Sequence, residues 1–441
     1  MLKIKQESNY LASIVKLGKP IPHPNADRLI GFIINHEIVY TDLTYKEGDV
    51  CVLFPLGCKI NSELLSFLNA FRDPTKNRDT TVKGYFEDKG RVRAQPLRGE
   101  PSNGVIFKIE TLAEWLWSKV KGDGTGRIGI ISHKTTFEDI IGTEFDSYDD
   151  ITICEKYIPP VQKEKQGGGS NTQAPKKKIE HIVDKQFAFH YDTNHFKKVV
   201  EQFQPSDSVV ITFKLHGTSC ISANLLTKRE LSWYEKLLVR LGIKIQDSQY
   251  ELVCASRAVI KLVGEQEKNK GGYYDTNTHI TAHDTIKDKI LPGITLYYEI
   301  AGYNTSGSWI QKHYDYGHEP KEFGIYVYRI TYTSPQGHVT EYTWKQIEKY
   351  CEKYGLKTVP VLYYGELNNI VKQCKNWHDK LYTELANRYT EKNCFMCKNP
   401  VPEEGVCIRN ESTYQNTILW RAFKLKSFRM IQLEQQNEDN L

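Results

Sequence analysis

Apolar and polar positions over the first sixty residues fall into short bursts. The runs ASIVKL (12–17), LIGFII (29–34), EIVYTDL (37–43) and DVCVLF (49–54) are rich in β-branched and aromatic residues, and PHPNAD and YKEGD separate them. Short apolar runs bounded by Pro, Gly, Asn and Asp predict strands, and several at this spacing predict a small β-barrel. Two further extended runs, RVRAQPL (91–97) and GVIFKI (104–109), flank a turn at 98–104, and TLAEWLWSKV (111–120) reads as a helix. One five-stranded barrel fits this pattern.

The pattern stops at 159–178, PPVQKEKQGGGSNTQAPKKK, which has almost no apolar side chains and reads as a flexible polar and basic linker. It divides the chain into a domain at 1–155, a linker at 156–181 and a domain at 182–441. The basic run 176–178 offers charge to phosphates, with plain solvation as the alternative.

Composition narrows the classes. With 39% hydrophobic and 12% aromatic residues, 27 of them Tyr, the chain can build real cores, which excludes a disordered protein. The 59 Lys and Arg barely exceed the 54 Asp and Glu, a net charge of +5, so affinity for nucleic acid must come from local clustering. No stretch approaches the ~20 apolar residues that cross a bilayer, and the start lacks a secretory h-region. The expectation is an intracellular protein, of cytoplasm or nucleus, without a membrane partner. Ten scattered cysteines fit reduced thiols rather than a disulfide scaffold.

In the second domain, VVITFKLHGTSCISANL (209–225) delivers Lys214 at a strand end, and Gly217 opens a tight turn. A lysine attacks phosphorus only as a neutral amine, so such a site must lower its pKa by nearby cations and desolvation. By itself this stretch is equally a hairpin. It has companions, in order: SRAVI around Arg257, LYYEIAGY around Glu299, EFGIYVYRI around Tyr328, EGVCIR from Glu404, and FKLKS from Phe423. In the last, Lys424 and Lys426 alternate on one strand face, aiming two ammonium groups at one place. Their field is expected to depress the pKa of Lys214. Glu299, in an apolar and aromatic strand, needs a hydroxyl or cation as partner. Glu404, at the head of a strand, can hold a hydrated Mg²⁺.

These ordered motifs resemble the series of the covalent nucleotidyltransferase superfamily, which includes RNA and DNA ligases and capping enzymes. Together with HYDTNHF (190–196), they are most similar to ATP-dependent RNA ligases. PHPNADRL (22–29) with YKEGDVCVLFP resembles OB-fold modules fused in front of some of them. The resemblance implies an α+β protein: an N-terminal OB-like barrel, then a nucleotidyltransferase domain of antiparallel sheets flanked by helices.

It further implies that Lys214 becomes adenylylated from ATP with Mg²⁺ or Mn²⁺. An RNA 3′-OH end is then joined to a 5′-phosphate, such as at a nick held in a duplex, by a monomer acting in RNA repair. His216, Arg257, Glu299, Tyr328, Glu404, Lys424 and Lys426 would bind nucleotide, Tyr328 or Tyr326 stacking on adenine and Glu299 holding the ribose. Ser219 would contact the RNA end, and Arg91, Arg93 and Arg98 the RNA backbone. His216 replaces the Asp usual in DNA ligases and capping enzymes, and Phe213 and Arg329 stand where relatives often carry Glu and Asp. Separately, Cys374, His378, Cys394 and Cys397 have the C-x3-H and C-x2-C pairings of a structural zinc site, with unliganded cysteines as the alternative. Other readings are a DNA ligase or capping-type enzyme, AMP transfer to another acceptor, and a non-catalytic RNA-binding protein on a decayed ligase fold.

Overall fold

The computed structural model describes residues 1–119, 136–159, 181–264, 266–267, 277–412 and 422–439. Most of the expected linker, including 176–178, lies outside them. The chain forms two compact units, one from Met1–Ser170 with Phe428–Leu441, the other from Asn171–Ser427.

In the first unit, β1 (Ala12–Lys16), β4 (Val50–Pro55) and β5 (Gly104–Lys108) form an antiparallel sheet in the order β5–β4–β1, with Glu144–Phe145 at its edge. A hairpin of β2 (Leu29–Ile34) and β3 (Glu37–Asp42) adds a second sheet. The continuous apolar run in β4 has a simple cause. Val52 and Phe54 face a core closed by Trp115 and Leu116 of α1 (Ile109–Lys119), while Cys51 and Leu53 face another with Phe32, Ile34 and Val39 of the hairpin. Successive side chains point to opposite faces, and both faces are buried. This arrangement is compatible with the OB-like barrel. The expected strand RVRAQPL is instead irregular, with single bridges Lys59 to Arg91 and Leu97 to Glu100.

The unit also extends beyond residue 155, since Cys154–Lys156 pairs with Cys58–Ile60. Its last element is the C-terminal helix α6 (Phe428–Asp439), which the linear pattern assigns to the second domain. The Gln435 carboxamide accepts from the Ala94 N–H at 2.8 Å, and Glu438 pairs with Arg91 at 2.5 Å.

The second unit holds two sheets. The smaller has the order β13 (Val361–Glu366), β6 (Ser208–Phe213), β14 (Gly405–Asn410), β15 (Ala422–Lys426), all antiparallel. Val209, Ile211, Val406, Ile408, Phe423 and Leu425 turn one face onto α5 (Trp377–Tyr389). The eight-stranded sheet runs β9 (Ile260–Val263), β8 (Ser248–Ser256), β7 (Thr218–Lys228), β10 (Ile294–Gly302), β11 (Phe323–Thr333), β12 (Val339–Glu341) through its centre. Helix α3 (Thr278–Ile286) lies behind it, where Ser222 Oγ meets His283 Nδ1 at 2.8 Å and the Tyr298 hydroxyl at 2.9 Å. β7 and β8 are joined by an excursion carrying α2 (Trp233–Arg240), and α4 (Trp344–Tyr354) follows β12. Among the described residues no helix is long and apolar enough to cross a membrane. All ten cysteines are free thiols.

Candidate active site

Residues 214–217 are the passage from β6 in the small sheet to β7 in the large one. The loop is pinned from both sides: the Lys214 N–H donates to the Gly405 carbonyl at 3.0 Å, and the His216 N–H to the Tyr316 hydroxyl at 2.6 Å. Gln311 Nε2 donates to the Gly217 carbonyl at 2.9 Å. Gly217 is required by a close approach rather than by a left-handed turn, because a Cβ there would lie 2.3 Å from the Ile300 carbonyl oxygen. Gly405 has φ +120° and a Cβ on it would lie 2.1 Å from the Leu425 carbonyl oxygen, so no other residue fits between Glu404 and its strand.

Glu404 is the hub. Its Oε1 lies 2.7 Å from Lys214 Nζ and 3.4 Å from Lys426 Nζ, and its Oε2 is 3.8 Å from His216 Nδ1. The carboxylate is 6% exposed. Burial pushes its pKa up, but Lys214, Lys426 and His216 together bring it down to about 2. For Lys214, burial disfavours the ammonium, yet Glu404 outweighs it and raises the pKa above the ordinary lysine range. The expected depression of Lys214 is therefore absent in this state. The Glu404 carboxylate lies directly against the amine, at 2.7 Å, where its attraction for the ammonium is strongest.

Glu299 on β10 is paired in register with Ser219 and receives the Gly217 N–H. Burial, with Glu404 adding repulsion against the pull of Lys214, pushes its pKa up to about 8. The two neighbouring carboxyls are thus driven apart, one ionised and one protonated near neutrality.

Tyr328 stands at a bulge where β11 slips against β10, and its hydroxyl meets Ser219 Oγ at 2.9 Å. Tyr326 is buried, stands opposite Glu299 in register and bonds His318 Nε2 at 3.2 Å, so of the two tyrosines it is Tyr328 whose hydroxyl reaches Ser219. Arg329, beside it, is buried between the Tyr191 and Tyr297 rings and bonds Glu341 at 3.0 Å.

Lys424 and Lys426 alternate with the buried Phe423 and Leu425, as their spacing requires. Lys424 is half-buried and its pKa is lowered by burial and by Lys426 and Lys214, against Asp192. Asp192 was not among the expected site residues, although HYDTNHF contains it. Its Oδ1 lies 3.2 Å from Lys424 Nζ and 2.9 Å from Arg257 Nη2, joining two of the residues expected to bind nucleotide.

Away from this cluster, the outcomes differ. Arg91 has an 8% exposed side chain paired through Nη2 with Glu438 and stacked over Tyr157, so it is buried within the first unit. Arg93 pairs with Glu87 at 2.8 Å, and Arg98 is exposed. The zinc expectation fails: Cys374, His378, Cys394 and Cys397 do not converge as ligands among the described residues. Cys374 is exposed, while His378 bonds the Phe203 carbonyl and Glu201, both at 3.0 Å, so both of its ring nitrogens are engaged. The turn that follows Cys394 and Cys397 is held by Asp315, which accepts from the Lys398 N–H at 3.0 Å.

A family model described as RNA ligase matches residues 207–426, which contain every residue of the cluster except Asp192. No curated protein matches the chain. Several solved structures of Naegleria gruberi RNA ligase are similar in fold. A mutant without ligand has a TM-score of 0.54 at 14% identity, covering 97% of this chain and 98% of that one. A mutant with AMP and Mn has 0.55 at 14%, covering 97% and 99%. The enzyme with PPi has 0.53 at 15%, again covering 97% and 99%. The likeness in fold extends over both units, and the family match across the motif-bearing strands places the chain in the RNA ligase family.

Proposed function

We propose that the protein is an ATP-dependent RNA ligase acting through a lysyl-AMP intermediate on Lys214. The observation that carries this is the position of Lys214 Nζ between the two sheets, 2.7 Å from a buried carboxylate that Lys426 also touches. Neutral Lys214 attacks the α-phosphorus of ATP, the bond to the bridging oxygen breaks, and pyrophosphate leaves. AMP passes to an RNA 5′-phosphate, and a 3′-hydroxyl displaces it.

Positioning and charge neutralisation do most of such work. Lys424 and Lys426 would bear the triphosphate and its developing charge. Glu299, protonated near neutrality, would bond the ribose, and Tyr328 would stack on adenine. Arg257 and Ser219 suit the RNA end, and Arg93 and Arg98 an RNA backbone on the first unit. The ionised oxygens of Glu404 fit a hard divalent cation, Mg²⁺ or Mn²⁺, held directly or through water. Such a cation supplies neutralisation of phosphate charge. Relief of the Glu404 ion pair is what lets Lys214 lose its proton. Repair of nicked RNA by a monomer, in cytoplasm or nucleus, suits a chain that carries a second module besides the sealing domain and ten free thiols.

The test is incubation of pure protein with Mg²⁺ and α-labelled ATP or GTP, followed on a denaturing gel. Wild type should be labelled by ATP and Lys214→Ala should stay blank. No label on wild type, even after pyrophosphate strips any bound AMP, would leave a binding role in its place.

A further inference from the structure

The excursion between β7 and β8 has no part in the chemistry above. β7 is 11 residues long, and the site lies at its Thr218 end, so α2 stands about 30 Å away along the strand. It is well braced. Glu235 accepts from the Ser232 N–H at 2.8 Å and binds both ends of the Arg229 fork at 2.6 and 3.1 Å, while Arg229 Nε reaches the Gln246 carbonyl at 2.8 Å. Gly242, at φ +83°, ends the helix.

This rigid element exposes large apolar side chains: Trp233 is 80% and Leu241 70% exposed, and Tyr234, Leu237, Val239 and Ile243 are about half exposed or more. At 100° per residue, Trp233, Leu237, Leu241, Tyr234 and Leu238 form one continuous arc. Val239 lies on the opposite side and Ile243 beyond the end. Lys236 and Arg240 border the arc beside Trp233, and Lys244 follows. All three are exposed, whereas the Glu235 charge is spent on Arg229.

We infer that this tip docks on an anionic lipid surface. A preformed protein groove would cover the arc and leave Val239 and Ile243 in water, whereas the headgroup and acyl boundary closes around a tip from every side. Aliphatic side chains have no partner on a phosphodiester backbone, which disfavours RNA. The flanking cations, on long stems, suit an anionic headgroup layer, and Trp suits its boundary with the chains. This is peripheral attachment, distinct from the crossing of a bilayer by a helix.

The experiment is flotation of the full-length protein with phosphatidylcholine vesicles, with and without about one-third phosphatidylserine, at low and high salt. Wild type should float with the anionic vesicles only, and high salt should release it. Leu237→Gln with Leu241→Gln should reduce the bound fraction at least tenfold, as should Lys236→Glu with Arg240→Glu. Both variants should keep wild-type labelling by ATP, which also reports that they fold. Wild type that stays unbound, or variants that bind equally, would overturn the inference. A wild type that ignores vesicles but dimerises or binds RNA through these same side chains would overturn it too, and would assign the tip to a second copy or to nucleic acid.

Discussion

Lys214 and Glu404, 190 residues apart in the chain, meet as an ion pair at 2.7 Å, and the pair favours the ammonium form of Lys214, which cannot attack phosphorus. Replacing Glu404 with Gln removes that counter-charge and lowers the Lys214 pKa. The ascending limb of the pH profile for self-labelling, along which the lysine loses its proton, should then move to lower pH. The maximal rate should nonetheless fall by about 100-fold or more, because the carboxylate also organises the charge around the phosphates. A profile that stays in place would show that another group controls the Lys214 proton.

Glu299 titrates in the opposite sense from most carboxylates. Its folded pKa is raised to about 8 by burial, so the folded protein holds a proton that the unfolded chain has lost. The stability attached to that proton is fully present below the unfolded carboxylate range, near pH 4.5, and is lost as pH rises through about 8. Glu299→Gln should match wild type in melting temperature at acid pH and exceed it above about pH 8. A constant difference across the range would contradict the raised pKa.

Asp192 pairs with both Lys424 and Arg257, so on the proposed function it competes with phosphate for them. All but Lys424 are well exposed, and exposed pairs are worth about 0.2–1 kcal/mol. Asp192→Asn should therefore lower the KM for ATP about two- to fivefold, with little change in maximal rate. A higher KM would make Asp192 a residue that aims Lys424 rather than one that competes for it.

Glu341 on β12 links the two sheets of the second unit. It bonds Arg329 of β11 at 3.0 Å and lies 3.9 Å from Arg409 of β14, whose Nε meets Glu411 at 2.5 Å. All four side chains are buried. Glu341→Gln leaves two guanidiniums without their shared charge and should cost about 3–5 kcal/mol in denaturant unfolding. A loss under about 1 kcal/mol would mean that water relieves them.

Short-range pattern was enough for several parts of this protein. Period-two alternation placed Lys424 and Lys426 on one face with Phe423 and Leu425 in the core, because neighbouring strand residues point oppositely whatever they pair with. The apolar runs of the first unit were visible for the same reason, although RVRAQPL has the composition of a strand and pairs only through single bridges. The ordered motifs likewise marked Lys214, Glu299 and Glu404 before their three-dimensional arrangement was known.

Tertiary structure decided what depends on distance between remote residues. Coulomb energy follows separation and burial, and no linear spacing reports either. That is why the sign of the Lys214 shift, the split between Glu299 and Glu404, and the capture of Lys424 and Arg257 by Asp192 emerged only once both sheets were assembled. It is also why Arg91, with the look of a surface cation, proved to be held by Glu438, 347 residues later by 438 minus 91. The zinc-like spacing was undone by the same means: Cys374 is exposed, His378 on α5 bonds Phe203 and Glu201, and only Cys394 and Cys397 share a turn. Sequence set which chemistry the chain can offer, and the folded structure set which of those groups act on one another.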